Sequence, residues 1–323
     1  MSIGKFYDAT GIIEHNMMND YMFRVILQEN RTALKGLLCS LLRLRKEDIL
    51  SVNVCNPIKP GETIDMKEFY MDMNLLLNDN SLINLEMQVV NEHNWTDRAL
   101  SYTCRSFLDL QKGQDYSETK SVVHVGFLDY TLFSEHPEFY AIYKLMNVKT
   151  HHIFSDKFTL GVVNLRNTDL ATEEDRAFGL DIWAKLFRAQ TWEELKMLSQ
   201  NKPELVEVSQ SIYEYNSDLE VRQRCIAREE HLQRVRNYIK AKQELEEVTI
   251  KKELLESEKM YLTTRNEQLT SVNEQLTSRN ESLTSVNEQL TSENMQLTSR
   301  NEQLLIELQR YKDMLENNSK DSE

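Results

Sequence analysis

Three side chains in this sequence suit the holding of a metal ion and a water: Asp72, Glu86 and Gln88. They lie in FYMDMNLLLNDNSLINLEMQVV, Phe69 to Val90. That stretch is a run, a turn, and a second run with the glutamate near its end. Two carboxylates carried on one hairpin can share a divalent cation, Mg²⁺ or Mn²⁺, through oxygen. A cation so held polarises a phosphodiester and lowers the pKa of a bound water, which attacks in line. Gln88 is two residues beyond Glu86 and shares its strand face. Its amide can position a water or a phosphate oxygen but carries no charge.

Facing depends on register. Met71, Met73, Leu75 and Leu77 share one face of the first run; Asp72, Asn74 and Leu76 share the other. In the second run Ile83, Leu85, Met87 and Val89 oppose Asn84, Glu86 and Gln88. The turn Asn78-Asp79-Asn80-Ser81 is rich in residues that tolerate left-handed backbone. A loop of two or four residues puts Asp72 opposite Met87, on the wrong face. A three-residue loop, Asp79 to Ser81, puts Asp72 opposite Gln88 and Asn74 opposite Glu86, all on one face. The metal reading therefore demands an odd loop or a bulge. The competing reading is an ordinary hairpin with one solvent face, which gives the same alternation.

The elements that must hold this hairpin read as follows. Asn19-Asp20 precedes YMFRVILQEN, the first turns of a helix, and either residue suits an N-cap. Thr32 to Arg43 repeats leucine at helical spacing. Ile49 to Val54 is a short strand, and Pro57, Pro60 and Gly61 mark a loop. Trp95 to Lys112 is a helix with an expected stripe of Leu100, Thr103, Phe107 and Leu110. Ser121 to Leu128 is a buried strand by composition, and Lys157 to Asn164 is another. Thr172-Glu173-Glu174 opens a helix carrying Trp183, Leu186 and Phe187, and Trp192 to Leu198 continues helical. This is an α/β layout over about 200 residues.

After Pro203 the character changes. Glu204 to Met260 has no Gly or Pro and is dense in charge, as a long exposed helix or helical pair. From Leu262 a heptad repeat takes over: Leu262, Leu269, Leu276, Leu283, Leu290, Leu297 and Leu304, with Asn266, Asn273, Asn280, Asn287, Asn294 and Asn301 between them. Leucine at d with asparagine at a favours a parallel two-stranded coil, at a cost in stability. Identical layers leave shifts of seven residues nearly equivalent, and Thr-Ser at e and f are poor helix formers. Weak self-association and a low-complexity tail without a partner both fit. If helical, Thr263 to Leu304 spans roughly 60 Å.

Composition narrows the classes. Hydrophobic residues make up 40% of the 323, enough to fill a core. A net charge of −14 argues against broad attraction to nucleic acid and leaves room for a local basic strip, with Arg24, Lys67, Arg98 and Arg105 as candidates. Cys39, Cys55, Cys104 and Cys225 are widely spaced, which is neither a zinc signature nor a disulfide framework. The polar start lacks a signal-peptide apolar region, and no apolar run is long enough to span a bilayer, so no membrane partner and a cytoplasmic location are expected. His93, His124, His151 and His152 show no metal-ligand spacing and receive no role.

The residues also carry a resemblance. Asp72, then Glu86-x-Gln88, resembles the Asp…Glu-x-Gln variant of the PD-(D/E)xK nuclease core. Asn19-Asp20-Tyr-Met-Phe-Arg24 is similar to the Asn-Asp-x-x-Phe-Lys opening of the recombination-promoting nuclease (Rpn)/transposase family. Asp65-x-Lys67, Arg98-Ala-Leu-Ser-Tyr102, Gly113-x-x-Tyr116 and VVHVGFLDYTLF resemble segments of that family in order, over about residues 10 to 200.

The resemblance implies a restriction-endonuclease-like core, with a central mixed sheet flanked by helices. It implies a magnesium-dependent endonuclease for double-stranded DNA, with Asp72 and Glu86 as metal ligands. Asp20 matches the extra acidic position of such folds, with an N-cap role as its alternative. Gln88 stands where the wider superfamily has lysine, which leaves the cation unassigned. Lys67, Arg98 and Tyr102 are candidate phosphate contacts. Arg98 and Tyr102 are one helical turn apart, and a surface arginine beside a half-buried tyrosine is the other reading. Expected boundaries are a nuclease-like domain at 1–203, a charged helical linker at 204–261, a coiled coil at 262–316 that pairs two chains, and a disordered tail at 317–323. The alternative function is an inactive nuclease-fold scaffold, or a DNA-binding protein, oligomerising through that coil.

Overall fold

The computed structural model describes residues 3–56, 73–107, 115–200 and 202–320. The chain divides into two compact units, Met1–Ala241 and Lys242–Glu323. Asp72 and Lys67 lie outside the described residues, as do Asp65, Leu110 and Gly113.

The first unit opens with helices α1 (Ile3–Asp8), α2 (Asp20–Glu29) and α3 (Arg31–Leu42). Strands β1 (Val52–Val54), β2 (Met73–Leu77) and β3 (Ser81–Gln88) follow, then helix α4 (Trp95–Phe107) and strands β4 (Ser121–Leu128), β5 (Tyr140–Met146) and β6 (Ile153–Asn164). Helices α5 (Glu173–Ala177), α6 (Leu180–Arg188), α7 (Trp192–Ser199), α8 (Pro203–Ser217) and α9 (Leu219–Lys320) complete the order.

The six strands form one mixed sheet, ordered β1-β2-β3-β4-β6-β5. Strands β3, β4 and β6 run parallel, and the remaining pairings are antiparallel. Parallel neighbours need a crossover, and α4 supplies it between β3 and β4. This is the α/β class expected, with a mixed sheet flanked by helices.

Both sheet faces are covered. On one, Met73, Leu75, Leu85, Phe127 and Val163 join a large core with residues of α2, α3 and α6. Phe23 of α2 lies 5.4 Å from Phe127 and 5.5 Å from Phe187, ring centre to ring centre. On the other face, Trp95 and Ala99 of α4 pack with Leu128, Ala141 and Val162.

Several expectations shift. The buried stripe of α4 is Trp95, Ala99 and Thr103, while Leu100 is 45% exposed. The helix is seated by Trp95 at its first position, and the i, i+4, i+8 line from there misses Leu100. Strand β5 was not anticipated, and β6 begins four residues before the expected Lys157. The helix opened by Thr172 is two helices, broken at Gly179, whose φ is +71°. Of the long helix or helical pair expected after Pro203, two helices are present, α8 and α9, and they are not a linker throughout. Leu205, Val208, Ile212, Val221 and Cys225 enter the main core, and the first unit extends to Ala241. Their apolar spacing was masked by the surrounding charge.

Gly126 on β4 fixes how closely α4 approaches. A Cβ there would stand 2.5 Å from Trp95 Cζ2. Gly126→Ala is therefore expected to destabilise the fold by about 1–3 kcal/mol through overpacking. Urea denaturation measures this, and an unchanged midpoint would refute the account.

In the second unit, α9 is helical through the heptad repeat. The seven d leucines are 46–59% exposed on the single chain. Each repeat threonine donates its hydroxyl to the carbonyl four residues back, as Thr277 does to Asn273 at 2.9 Å, which satisfies the hydroxyl within the helix.

Candidate active site

The hairpin that carries Glu86 is set by its turn. Asn78 and Asp79 both have positive φ, 49° and 57°, and the Asn80 N–H donates to the Leu77 carbonyl at 3.2 Å. Two left-handed residues in succession make the primed turn that matches strand twist. Asn78 also fastens the turn to the chain before β1: its Oδ1 accepts from Leu50 N–H at 2.8 Å and Ser51 N–H at 3.1 Å. The pairing that results is Leu77 with Ser81 and Met73 with Leu85. The loop is thus three residues, Asn78–Asn80, and odd as the metal reading demands. Its centre lies one residue earlier than expected, because Asn78 takes the first left-handed position. The register moves by two, so Asn74 faces Asn84 instead of Glu86, and Asn84 Nδ2 donates to Asn74 Oδ1 at 2.7 Å.

Glu86 is 2% exposed. The Arg98 guanidinium contacts its Oε1, and His124 Nε2 lies 3.6 Å from its Oε2. A buried carboxylate without such a partner would cost several kcal/mol. His124 is fully buried, with its ring 5.9 Å from Trp95 and 6.3 Å from Tyr102. It arrives through parallel pairing, which sets Asn84 beside His124 and Glu86 beside Gly126. Sequence spacing gave no signal for His124, since its neighbour in the sheet lies forty residues away. Arg98 is not the surface arginine of the alternative reading.

Gln88 is buried, and its amide donates to the Val90 carbonyl at 3.1 Å. Its Oε1 has no hydrogen-bond partner among the described residues. Nearby Tyr130 is mostly buried, which pushes its hydroxyl pKa up and keeps it protonated.

Asp20 sits elsewhere in the hydrogen-bond network. The cap of α2 is Asn19, whose Oδ1 accepts from the N–H groups of Tyr21 and Met22. Asp20 is the first helical residue, 4% exposed and gripped by Arg228 of α9 at 2.6 to 2.8 Å. Burial pushes its carboxyl pKa up, and the Arg228 charge pulls partly back. His231, three residues on, is held below the ordinary imidazole range by burial and by Arg228 and Arg234.

A groove of about 630 Å³ runs along the sheet beside α4, lined by Asn56, Asn74, Asn84, Tyr102, Arg105 and Ser106 and in similar measure by apolar residues such as Leu82 and Val122. Of the basic strip expected from sequence, Arg105 lines this groove and Arg98 pairs with Glu86. Arg24 is buried and donates to the Asn56 carbonyl. Buried Glu86 is a hard oxygen donor, and Asn84 Oδ1 and Gln88 Oε1 on the same strand face are buried neutral oxygens without a hydrogen-bond partner among the described residues, so the donor chemistry suits a hard divalent cation. Among the described residues no group of three or more His, Cys, Asp or Glu is placed to hold a metal. No helix among them is long and apolar enough to cross a membrane.

Residues 17–243 match the family model described as PD-(D/E)XK nuclease family transposase. No curated protein and no solved structure matches the chain. The match runs from the loop before α2 through the whole sheet and into α9, the greater part of the sequence, and the chain belongs to the PD-(D/E)XK nuclease family transposases.

Proposed function

We propose that this chain is a divalent-metal-dependent endonuclease for double-stranded DNA, with Asp72 and Glu86 as metal ligands. The observation that carries this reading is a buried glutamate in contact with Arg98, on the hairpin face it shares with Asn74 and Asn84, which line a groove together with Arg105. Met73 pairs with Leu85 at the described start of this ladder, and Asp72 is the residue before Met73 in the sequence. A bound ion would supply positive charge to the phosphate and acidify a water.

The chain's own residues do the rest. Asn74 and Asn84 offer neutral hydrogen-bonding groups along the groove, and Tyr102 and Arg105 face the substrate path. The Gln88 carbonyl, which has acceptor capacity to spare, is suited to orienting a water. In the overall reaction a water adds to phosphorus and one ester P–O bond breaks. The products are a phosphomonoester and an alcohol.

The leucine repeat supports pairing of two chains through residues 262–316, which would give two cores for two strands. Deleting residues 261–323 is expected to halve the solution mass by light scattering, beyond the mass removed. A protomer count that does not change assigns the tail no such role. The nuclease reading is tested by incubating purified protein with supercoiled plasmid, with and without Mg²⁺, beside Asp72→Ala. Cutting that needs the metal and is lost in Asp72→Ala supports it; cutting that persists in Asp72→Ala overturns the site.

A further inference from the structure

Helix α4 divides its work between two faces. Trp95, Ala99 and Thr103 anchor it to the sheet. Arg98, Tyr102 and Arg105, at i, i+4 and i+7, share another stripe. Tyr102 and Arg105 line the groove, and Arg98 reaches Glu86 at the same sheet face. Its side chain is 20% exposed, and its guanidinium touches a buried carboxylate. Arg98 sits on a long side chain above an anchored helix.

Hydrolysis of a phosphodiester builds negative charge on the phosphoryl oxygens, and a positioned cation stabilises it. Gln88 carries no charge. A divalent ion and a guanidinium at one carboxylate repel each other, so they are alternative partners for Glu86. We propose that Arg98 is a mobile catalytic cation of this site: a divalent ion arriving at Glu86 releases it, and the freed guanidinium binds a nonbridging oxygen of the scissile phosphate. This rests on the nuclease reading. It makes Glu86 a relay, whose occupation by the ion delivers a second positive charge to the substrate. Guanidinium suits this role because its planar fork matches two phosphate oxygens. Arg105 lies two turns further along, about 10 Å by helical rise, and in this scheme meets a flanking phosphate only.

The test uses the full chain and two readouts: Mn²⁺ binding by calorimetry without DNA, and plasmid cutting with Mn²⁺. Arg98→Gln removes the competing charge. It is expected to bind Mn²⁺ several-fold more tightly and yet cut about 100-fold more slowly, the scale of losing one transition-state contact. Tighter Mn²⁺ binding shows only that the ion and the guanidinium compete for Glu86; tighter binding together with slower cutting is what marks a catalytic cation. Arg105→Gln is expected to leave Mn²⁺ affinity unchanged and to weaken DNA binding, with a shallower salt dependence.

If Arg98→Gln does not fold, Arg98→Lys decides. It keeps Glu86 paired and is expected to bind Mn²⁺ as the wild type does and to cut about tenfold more slowly, because an ammonium makes no fork. Wild-type cutting by Arg98→Lys then overturns the proposal. A wild-type chain that neither binds Mn²⁺ nor cuts overturns the nuclease reading, and Arg98's role with it. A wild type that binds and cuts, beside an Arg98→Gln that binds no tighter or cuts no slower, overturns the role of Arg98 alone.

Discussion

On the proposed nuclease reading, Glu86→Gln is expected to lower metal-dependent DNA cutting by about 10²–10³-fold, the scale seen when one group that stabilises the transition state is removed. The substitution is nearly isosteric. It leaves a carbonyl oxygen to accept from Arg98, removes the charge, and turns the other carboxylate oxygen into an amide N–H donor. Glu86 is 2% exposed and touches Arg98, so a larger change such as Glu86→Ala would mix catalysis with the loss of a buried ion pair. Thermal melts of Glu86→Gln beside the cutting assay separate the two. A folded Glu86→Gln that cuts at the wild-type rate would remove Glu86 from the metal site. Cutting lost in both Glu86→Gln and Asp72→Ala, with Mn²⁺ binding lost in both, would join the two carboxylates in one site.

The second large effect is on stability. Arg228→Met is expected to destabilise the first unit by about 3–5 kcal/mol, because it strands a buried Asp20 without its partner. Arg228 holds both oxygens of that carboxylate at 2.7 and 2.8 Å through Nε. The loss should depend on pH. Burial already places the folded carboxyl pKa above its unfolded value of 3.8, and without Arg228 it rises further. A group with a raised folded pKa contributes its stability fully below the unfolded value and loses it as pH rises through the folded one. The deficit of Arg228→Met is therefore smallest near pH 4 and grows toward neutrality. Denaturant titrations at both pH values read this directly. The double change Asp20→Asn with Arg228→Met should recover much of the deficit, since neutralising both partners leaves no buried charge. An equal loss at both pH values would mean that the pair does not govern this contact.

Periodicity carried much of this fold and register carried the rest. The alternation in Met73–Leu77 and Ser81–Gln88 showed both strands of the hairpin and the face of Glu86. It could not place the turn, because Asn78, Asp79 and Asn80 all tolerate left-handed backbone and only contact with Leu50 and Ser51 selects Asn78 as its first member. Arg98 was visible as a basic residue one turn from Tyr102, but its partner was not, since that contact depends on how α4 crosses the sheet. His124 was set aside for lack of ligand spacing, a rule that looks along the chain and misses a neighbour across a parallel ladder. In Glu204–Ala241 the charged surface residues outnumbered the core stripe and hid it.

The contact between Gly126 and Trp95 also orders the mutational routes open to this chain. An added methyl at 126 meets the indole at once, whereas trimming Trp95 first leaves a space that the methyl can fill. Trp95→Leu followed by Gly126→Ala passes through an underpacked intermediate; the reverse order passes through a collision. Replacements at these two positions are thus expected to be contingent, with position 95 changing first. A two-position library scored for folding should recover larger residues at 126 only in the company of smaller ones at 95.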